Sequence, residues 1–216
     1  MKYQFTHFRH ILVAGSLMLL GMLGIASHAG ADTLVLDNPT GDLGTTHTYT
    51  LHGVNVVATG FNGGDLYGKN SGTGEQGLGL VNDPSGDHEI WHKTTGAQDF
   101  IQLNLLNLIN AGFTSFEFQM GSTTDGEQWQ VAACSTSGVL CSNGSTLTGT
   151  NENVYSAPLN LSAADPYLDF SSNNGNVLLG SISATPPSAT PEPSSLLMLS
   201  SGLIGLGCMR RKVFNS

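Results

Sequence analysis

The 216-residue sequence predicts an all-β fold, a single antiparallel β-sandwich of jelly-roll-like form. Three observations lead to this prediction. Short alternations of apolar and polar residues recur between residues 32 and 183, at the length of strands. Clusters of Gly, Asn, Asp, Ser and Pro separate them. Helical periodicity is almost missing from the same stretch, so strands must cover the apolar faces of other strands, as they do in sandwiches and barrels.

The candidate strands follow from the alternation. The clearest is at Phe116, Phe118 and Met120, whose intervening residues are polar. A parity shift at Gly53 predicts a bulge or a tight bend there. In chain order the candidates are residues 33–36, 49–51, 54–58, 101–105, 116–120, 129–133, 159–161, 168–170 and 176–184.

Two segments need separate treatment. Residues 103–112 (LNLLNLINAG) fit a short helix ending at Gly112, but a strand followed by a loop or one helical turn is the preferred prediction. Residues 61–80 contain many glycines, which are costly to order. We therefore expect a long surface loop at 61–80.

The N-terminal segment has the layout of a secretory signal peptide, predicted over residues 1–31. Lys2 and Arg9 precede an apolar run at 11–25, and Ala29-Gly30-Ala31 offers a small-residue cleavage site. A retained anchor helix is the alternative. The interpretation implies export by the Sec machinery, cleavage by signal peptidase, and a folded domain over 32–184.

The domain is strongly acidic. Residues 32–190 contain fifteen Asp and Glu against Lys69 and Lys93, a formal charge of −13. That charge argues against nucleic acid or anionic lipid as a partner, and it leaves carboxylates available for divalent cations.

Two cysteines fit an exported protein. Cys134 and Cys141 enclose a six-residue loop that a disulfide could close in an oxidising compartment. Two free thiols remain the alternative, because spacing does not establish bond geometry.

Residues 88–92 read His-Glu-Ile-Trp-His, the H-E-x-x-H spacing of zinc proteases. That chemistry needs a helix that brings His88 and His92 onto one face. Pro84, flanking glycines and strand-favouring residues argue against a helix, and on a strand the two rings would lie about 13 Å apart. No His follows His92 to serve as third ligand. We interpret the motif as coincidental and predict no catalytic residue.

Other sites have weaker support. Asp83, Asp87 and Glu89 fall in one turn and supply oxygen ligands, so calcium is the open alternative to a plain Asx-rich turn, although the spacing is not that of an EF-hand. Otherwise no cofactor is predicted. A sugar-stacking platform of Trp91 and Trp129 is a further alternative, although burial in the core is expected for at least Trp129. A carboxylate pair, Glu117 and Glu127, is another.

The C-terminal segment has three parts. A Pro-, Ser- and Thr-rich linker at 185–193 ends in Pro-Glu-Pro. An apolar stretch at 194–209 follows, about 24 Å long as a helix. This is short for a membrane span, but we predict a membrane helix because the stretch is apolar on every side and ends abruptly in basic residues. The basic residues after it place that end in the cytoplasm and the domain outside. These residues are Arg210, Arg211 and Lys212.

This order of parts resembles the PEP-CTERM sorting signal of exported, mostly Gram-negative bacterial proteins, over residues 191–213. The tripeptide Pro191, Glu192 and Pro193 and the basic cluster carry the resemblance. It implies recognition by an exosortase-type membrane protease, a transient inner-membrane anchor with its C-terminus cytoplasmic, and delivery to the cell surface or an extracellular matrix. Residues 77–91, 100–105 and 167–184 look like small exported β-rich domains that such proteins often carry.

The sequence therefore predicts an exported, non-enzymatic surface or matrix protein, with extracellular polysaccharide as a partner left open. The alternatives are a carbohydrate-binding β-sandwich module and a zinc-dependent or carboxylate hydrolase.

Overall fold

The computed structural model describes residues 30–72, 75–123, 126–141, 146–157, 161–188 and 199–203. In these residues, antiparallel strands form two packed sheets, so the predicted β-sandwich is confirmed. The predicted signal peptide lies almost wholly outside the described residues, and the domain boundaries stay predictions. The strands are β1 Asp32–Val35, β2 Gly41–Gly44, β3 Thr46–Leu51, β4 Val54–Phe61, β5 Leu66–Asn70, β6 Gln76–Leu80, β7 Ile90–Trp91, β8 Phe100–Asn104, β9 Thr114–Ser122, β10 Gln128–Cys134, β11 Thr146–Gly149, β12 Val154–Ser156, β13 Tyr167–Asn174 and β14 Asn176–Thr185; the helix α1 is Leu106–Asn110.

β14 is the hub of the eight-stranded sheet. The order β12-β9-β14-β6-β5-β2 runs across this sheet, and β1 and β7 also pair with β14. Because Leu179 pairs with both Met120 of β9 and Leu78 of β6, β14 has partners on both edges. β9 follows one edge, and β7, β6 and β1 meet successive parts of the other.

The six-stranded sheet has the order β11-β10-β13-β8-β4-β3. Its central strand pair brings Asp169 of β13 opposite Gln102 of β8, and β10 lies on the other side of β13. Side chains alternate between the faces of a strand, so Leu168 and Phe170 point to the core while Asp169 points to the outer face.

The core lies between the sheets and contains the apolar residues of the alternating strands. Trp129 is fully buried, and its ring meets Phe118 edge-on at 5.3 Å between centroids. Phe118 also packs edge-on against Phe170. Other large, fully buried side chains include Phe100, Leu36, Leu66, Leu78, Leu80, Ile90, Ile101, Leu103 and Leu105.

The parity shift at Gly53 is a tight turn. β3 and β4 are joined by His52 and Gly53, both in the left-handed region with φ of 51° and 77°. Two such residues form the type of two-residue hairpin loop that matches the twist of the strands. The prediction of a tight bend is confirmed.

Residues 103–112 follow the preferred prediction. β8 ends at Asn104, and the single turn of α1 follows, with Gly112 just beyond it at φ 85°. The Asn104 side chain accepts a hydrogen bond from the Leu106 N–H at 3.0 Å, which ties the strand end to the helix start.

The prediction of a long loop at 61–80 is wrong, because β5 and β6 form two strands of the eight-stranded sheet there. The glycines permit close approach of other backbone segments. A Cβ at Gly68 would collide with the Pro39 carbonyl oxygen, and one at Gly79 with that of His88. Glycine is thus required by packing between segments and does not mark disorder.

Candidate functional site

The turn between β6 and β7 is organised by Asp83, which is buried. One carboxylate oxygen accepts the Ser85 N–H at 3.0 Å, and the other accepts the Ser85 hydroxyl at 2.5 Å and the Glu89 N–H at 3.3 Å. Both oxygens therefore serve to hold the turn, as in Asx-type turns.

The two histidines of the H-E-x-x-H stretch are anchored to different parts of the fold. His88 has φ 60°, stacks on Tyr67 at 4.0 Å, and donates from Nδ1 to the Val81 carbonyl at 3.2 Å. His92 donates from Nδ1 to the Ser172 carbonyl at 3.1 Å. β7 lies between them, so the helix that zinc protease chemistry requires is not formed here.

Glu89 is committed to an ion pair. It is 4% exposed, and its Oε1 lies 2.9 Å from Lys69 Nζ, which also contacts Glu75 at 2.7 Å. Burial raises the pKa of Glu89, and the bond from Lys69 opposes that shift. Burial alone would lower the pKa of Lys69, but its hydrogen bonds to Glu75 and Glu89 raise it instead. A carboxylate held this way is a structural counterion.

The three residues named for calcium do not gather around one point. Asp83 binds its own turn, Glu89 binds Lys69, and Asp87 is exposed. Over the described ranges, one group of three His, Cys, Asp or Glu side chains has ligand atoms within 4.8 Å of one another, and it contains none of these three residues.

The second lysine of the domain is also engaged. Lys93 Nζ lies 2.5 Å from Asp99 and donates to the Asn62 carbonyl oxygen at 2.9 Å. Asp99 is buried, which raises its pKa against the effect of Lys93. Both lysines of the described domain therefore have carboxylate partners.

The group that does converge is Cys134, Cys141 and Asp169. The two cysteines form a disulfide with 5.7 Å between Cα atoms, so neither sulfur is a thiolate ligand and the group is not a metal site in this state. Cys134 is buried at the end of β10, and Cys141 is half-buried.

Asp169 and Gln102 hold the disulfide loop on the outer face of the six-stranded sheet. Asp169 accepts the Cys141 N–H at 2.9 Å and the Gln102 amide N–H at 2.7 Å. Gln102 in turn accepts the Gly138 N–H at 3.1 Å and donates to the Thr136 carbonyl at 3.3 Å. The loop is thus fixed by two neighbouring side chains from β13 and β8.

Asp169 is 1% exposed, and burial raises its pKa from 3.8 to about 6, with the Cys141 and Gln102 bonds opposing the shift. Sequence reasoning missed Asp169 and the role of Gln102. The local signal is an acidic residue on the polar side of an otherwise apolar strand, but its partner is 67 positions away. Only the register of β8 with β13 places the two together.

The aromatic candidates separate by burial. Trp129 is in the core, and its indole N–H donates to the Asn151 carbonyl at 2.9 Å. Trp91 is half-buried on β7, opposite Asn176 of β14. Glu117 and Glu127 lie apart on β9 and just before β10, both half-buried.

The predicted sorting residues Pro191, Glu192, Pro193, Arg210, Arg211 and Lys212 lie outside the described residues. Of the predicted membrane helix at 194–209, residues 199–203 are described and are helical. No helix within the described ranges combines the length and apolar character needed to cross a membrane.

Comparisons with known proteins concern this same segment. The family model of the PEP-CTERM protein-sorting motif matches residues 189–212. Neither a curated protein nor a solved structure matches the chain. The motif indicates an exported protein and implies processing by exosortase-type machinery. The resemblance found in the sequence is confirmed: the chain is a protein with a PEP-CTERM sorting motif.

Proposed function

We propose that the protein is a non-enzymatic component of the cell surface or extracellular matrix, delivered there by exosortase-type processing. The observation that carries the proposal is the sorting motif at 189–212, which begins four residues after β14 ends at Thr185. A sorting motif that closely follows a compact domain is what we expect of a protein whose exported part is that β-sandwich domain. A sorting motif gives a destination and not an activity, so the role needs its own support.

The domain has features suited to that destination. The Cys134–Cys141 disulfide is a bond that persists in oxidising compartments. Both lysines are paired with carboxylates, so the remaining acidic side chains dominate the surface charge. Such a surface stays soluble and repels anionic polymers, which favours a neutral extracellular polysaccharide as a partner.

The route to the surface is also part of the proposal. The Sec machinery and signal peptidase would act on residues 1–31. The apolar stretch at 194–209 would then hold the protein in the inner membrane, and the basic cluster at 210–212 would stay in the cytoplasm. Cleavage near Pro-Glu-Pro would release the domain.

The experiment compares a Gram-negative host that contains an exosortase with an isogenic strain that lacks it. An epitope tag in the exposed 135–139 loop would spoil the disulfide, so we place the tag in the exposed turn at residues 94–97 instead. We expect a shorter, surface-associated or released product in the first strain and a longer, membrane-retained product in the second. A product of equal size and location in both strains would contradict the proposal.

Variants of the tripeptide sharpen this test. Pro193→Ala and Glu192→Ala should block the size change in the exosortase strain. Pro187→Ala is the matched control, because Pro187 is an exposed proline of the same linker that lies outside the motif match. If Pro187→Ala also blocked processing, linker stiffness rather than the tripeptide would be the determinant.

A second candidate function is carbohydrate binding, and the partial exposure of Trp91 favours it. The indole lies on β7, opposite the polar Asn176. An indole with one exposed face can stack on a sugar ring. Trp91→Ala should abolish glycan-array binding by the full chain, whereas Tyr167→Ala, another half-buried aromatic change, should not. Absence of binding by the wild type would remove this candidate.

A further inference from the structure

A carboxyl group lies beside the disulfide on the outer face of the six-stranded sheet. A carboxylate oxygen of Asp169 and the sulfurs of Cys134 and Cys141 are all within 4.8 Å of one another. The hydrogen bonds from Cys141 N–H and Gln102 fix the carboxylate in this place. Its position next to both sulfurs is therefore built into the fold.

The surroundings of Cys134 Sγ are rich in oxygen. The carbonyl oxygens of Thr136 and Val139 each lie 3.4 Å from this sulfur, and the Asp169 carboxylate is close by. Oxygen acceptors stabilise an S–H group and destabilise a negatively charged sulfur. A thiolate formed at Cys134 would be a poor leaving group unless a proton reached it.

The two sulfurs differ in access. Cys134 is 1% exposed, whereas Cys141 is half-buried and follows the exposed residues 135–139. An external nucleophile therefore reaches Cys141 Sγ first, and Cys134 is the sulfur that leaves.

We propose that Asp169 is the proton donor and acceptor at Cys134 when the disulfide opens and closes by exchange with an external thiol. In the opening step, an external thiolate forms a bond to Cys141 Sγ, the Cys134–Cys141 bond breaks, and its electron pair goes to Cys134 Sγ. The carboxylic acid of Asp169 gives its proton to that sulfur. Closing is the reverse: Asp169 takes the Cys134 proton, Cys134 attacks Cys141, and the external thiolate departs.

The protonation behaviour of Asp169 supports this assignment. Burial raises its pKa to about 6, so the acid form persists well above the ordinary range of an Asp. The segments packed around it, β8, β10 and residues 135–140, contain no Asp, Glu, Lys, Arg or His. On β13 itself, Tyr167 is the titratable neighbour on the same face. Asp169 is therefore the acidic group that these segments place beside the disulfide.

The test measures the rate at which a water-soluble phosphine opens the disulfide in the full chain, with maleimide trapping of the released thiols. The phosphine attacks Cys141, water then converts it to the phosphine oxide, and both cysteines become thiols. Per unprotonated phosphine, we expect the wild-type rate to fall on the order of 100-fold from about pH 5 to about pH 8, as a general acid is lost. A flat profile would overturn the proposal.

Variants separate proton transfer from loop structure. Asp169→Asn should give a flat profile at the high-pH level of the wild type. Gln102→Leu loosens the loop but keeps the acid, so the pH-dependent fall should remain. Asp42→Asn, an exposed Asp on β2, is the matched control and should behave as the wild type. A persistent fall in Asp169→Asn would assign the proton to another group; if that variant does not fold, the wild-type and Gln102→Leu profiles decide.

Discussion

Two buried carboxyl groups illustrate how neighbouring residues compensate for burial. Glu89 has the ammonium of Lys69 as its partner. Asp169 has only neutral donors, the Cys141 N–H and the Gln102 amide. Neutral donors offset less of the desolvation cost of a charge than an ammonium does. Burial raises the pKa of both carboxyl groups, and the two sites differ in how far their partners stabilise the charged form.

Asp169 should make the folded state more stable in acid relative to a variant that lacks the carboxyl. Its pKa is about 6 in the folded state against 3.8 for an ordinary Asp, so the contribution is complete below about pH 3.8 and is lost as pH rises to about 6. The lost stability amounts to about 3 kcal/mol. Urea unfolding of the wild type and Asp169→Asn at several pH values measures it as the change in their difference, which removes the contribution of other groups. A pH-independent difference would contradict the assignment.

Removing Lys69 should cost more than removing the whole ion pair. Lys69→Met leaves the Glu89 carboxylate buried without its cation, a loss of about 3 kcal/mol or more in the free energy of unfolding. Lys69→Met combined with Glu89→Gln should recover part of that loss, because no buried charge remains. Chemical denaturation of the single and double variants measures the coupling. Additive effects would show that the pair is not coupled.

At the scale of elements, β6 depends on its glycines. A Cβ at Gly79 would collide with the His88 backbone oxygen, which belongs to the turn that packs across the strand. We expect Gly79→Ala to lower the free energy of unfolding by about 2 kcal/mol, as overpacked cores do. Asn55→Ala, a change at an exposed residue of β4, is the control, because exposed substitutions alter the free energy of unfolding little. Equal urea midpoints for the two variants would show that the turn moves aside freely.

The strands that could be identified from the sequence are those whose apolar side chains pack into the core at alternate positions. The Phe116, Phe118 and Met120 alternation predicts β9, and Leu168 with Phe170 predicts β13. β5 and β6 were missed because their glycines have no side chain from which a period can be read. The sequence feature that marks these two strands is glycine at the positions where another backbone segment crosses, rather than an alternation of apolar and polar residues.

The candidate sites also differ in whether residues close in sequence or residues distant in sequence define them. Residue spacing within 88–92 was enough to question the zinc motif, because its requirement for a helix is local. The disulfide loop could be proposed from two cysteines in one short segment. Asp169 acquires its importance from β8 and β10, which are distant in sequence, and no local pattern reports that pairing.

At the scale of the whole molecule, the excess of negative charge opposes folding through self-repulsion. Raising NaCl to about 0.15 M shortens the screening length to about 8 Å. We expect a gain on the order of 1 kcal/mol in the free energy of unfolding, or about 3 °C in Tm. Thermal melts of the full chain at increasing salt measure this effect. A Tm that falls with salt would mean that attractive pairs outweigh the repulsion.

The same melts test the calcium prediction. CaCl2 and MgCl2 at one ionic strength should raise Tm equally if screening is the whole effect. A larger gain with calcium that disappears in Asp87→Asn would place a calcium site at the 83–89 turn, against the contacts that now occupy Asp83 and Glu89.

The central position of β14 sets the order in which the sandwich can be completed. This strand joins β9 to β7, β6 and β1, yet it is the last of the described strands and lies shortly before the sorting segment. If the chain crosses a membrane with its N-terminus leading, the eight-stranded sheet cannot be completed until β14 has passed. The domain therefore stays incompletely folded until nearly all of it has crossed. On the proposed export route, the arrival of residues 176–185 would complete the eight-stranded sheet when the sorting segment that follows them reaches the bilayer.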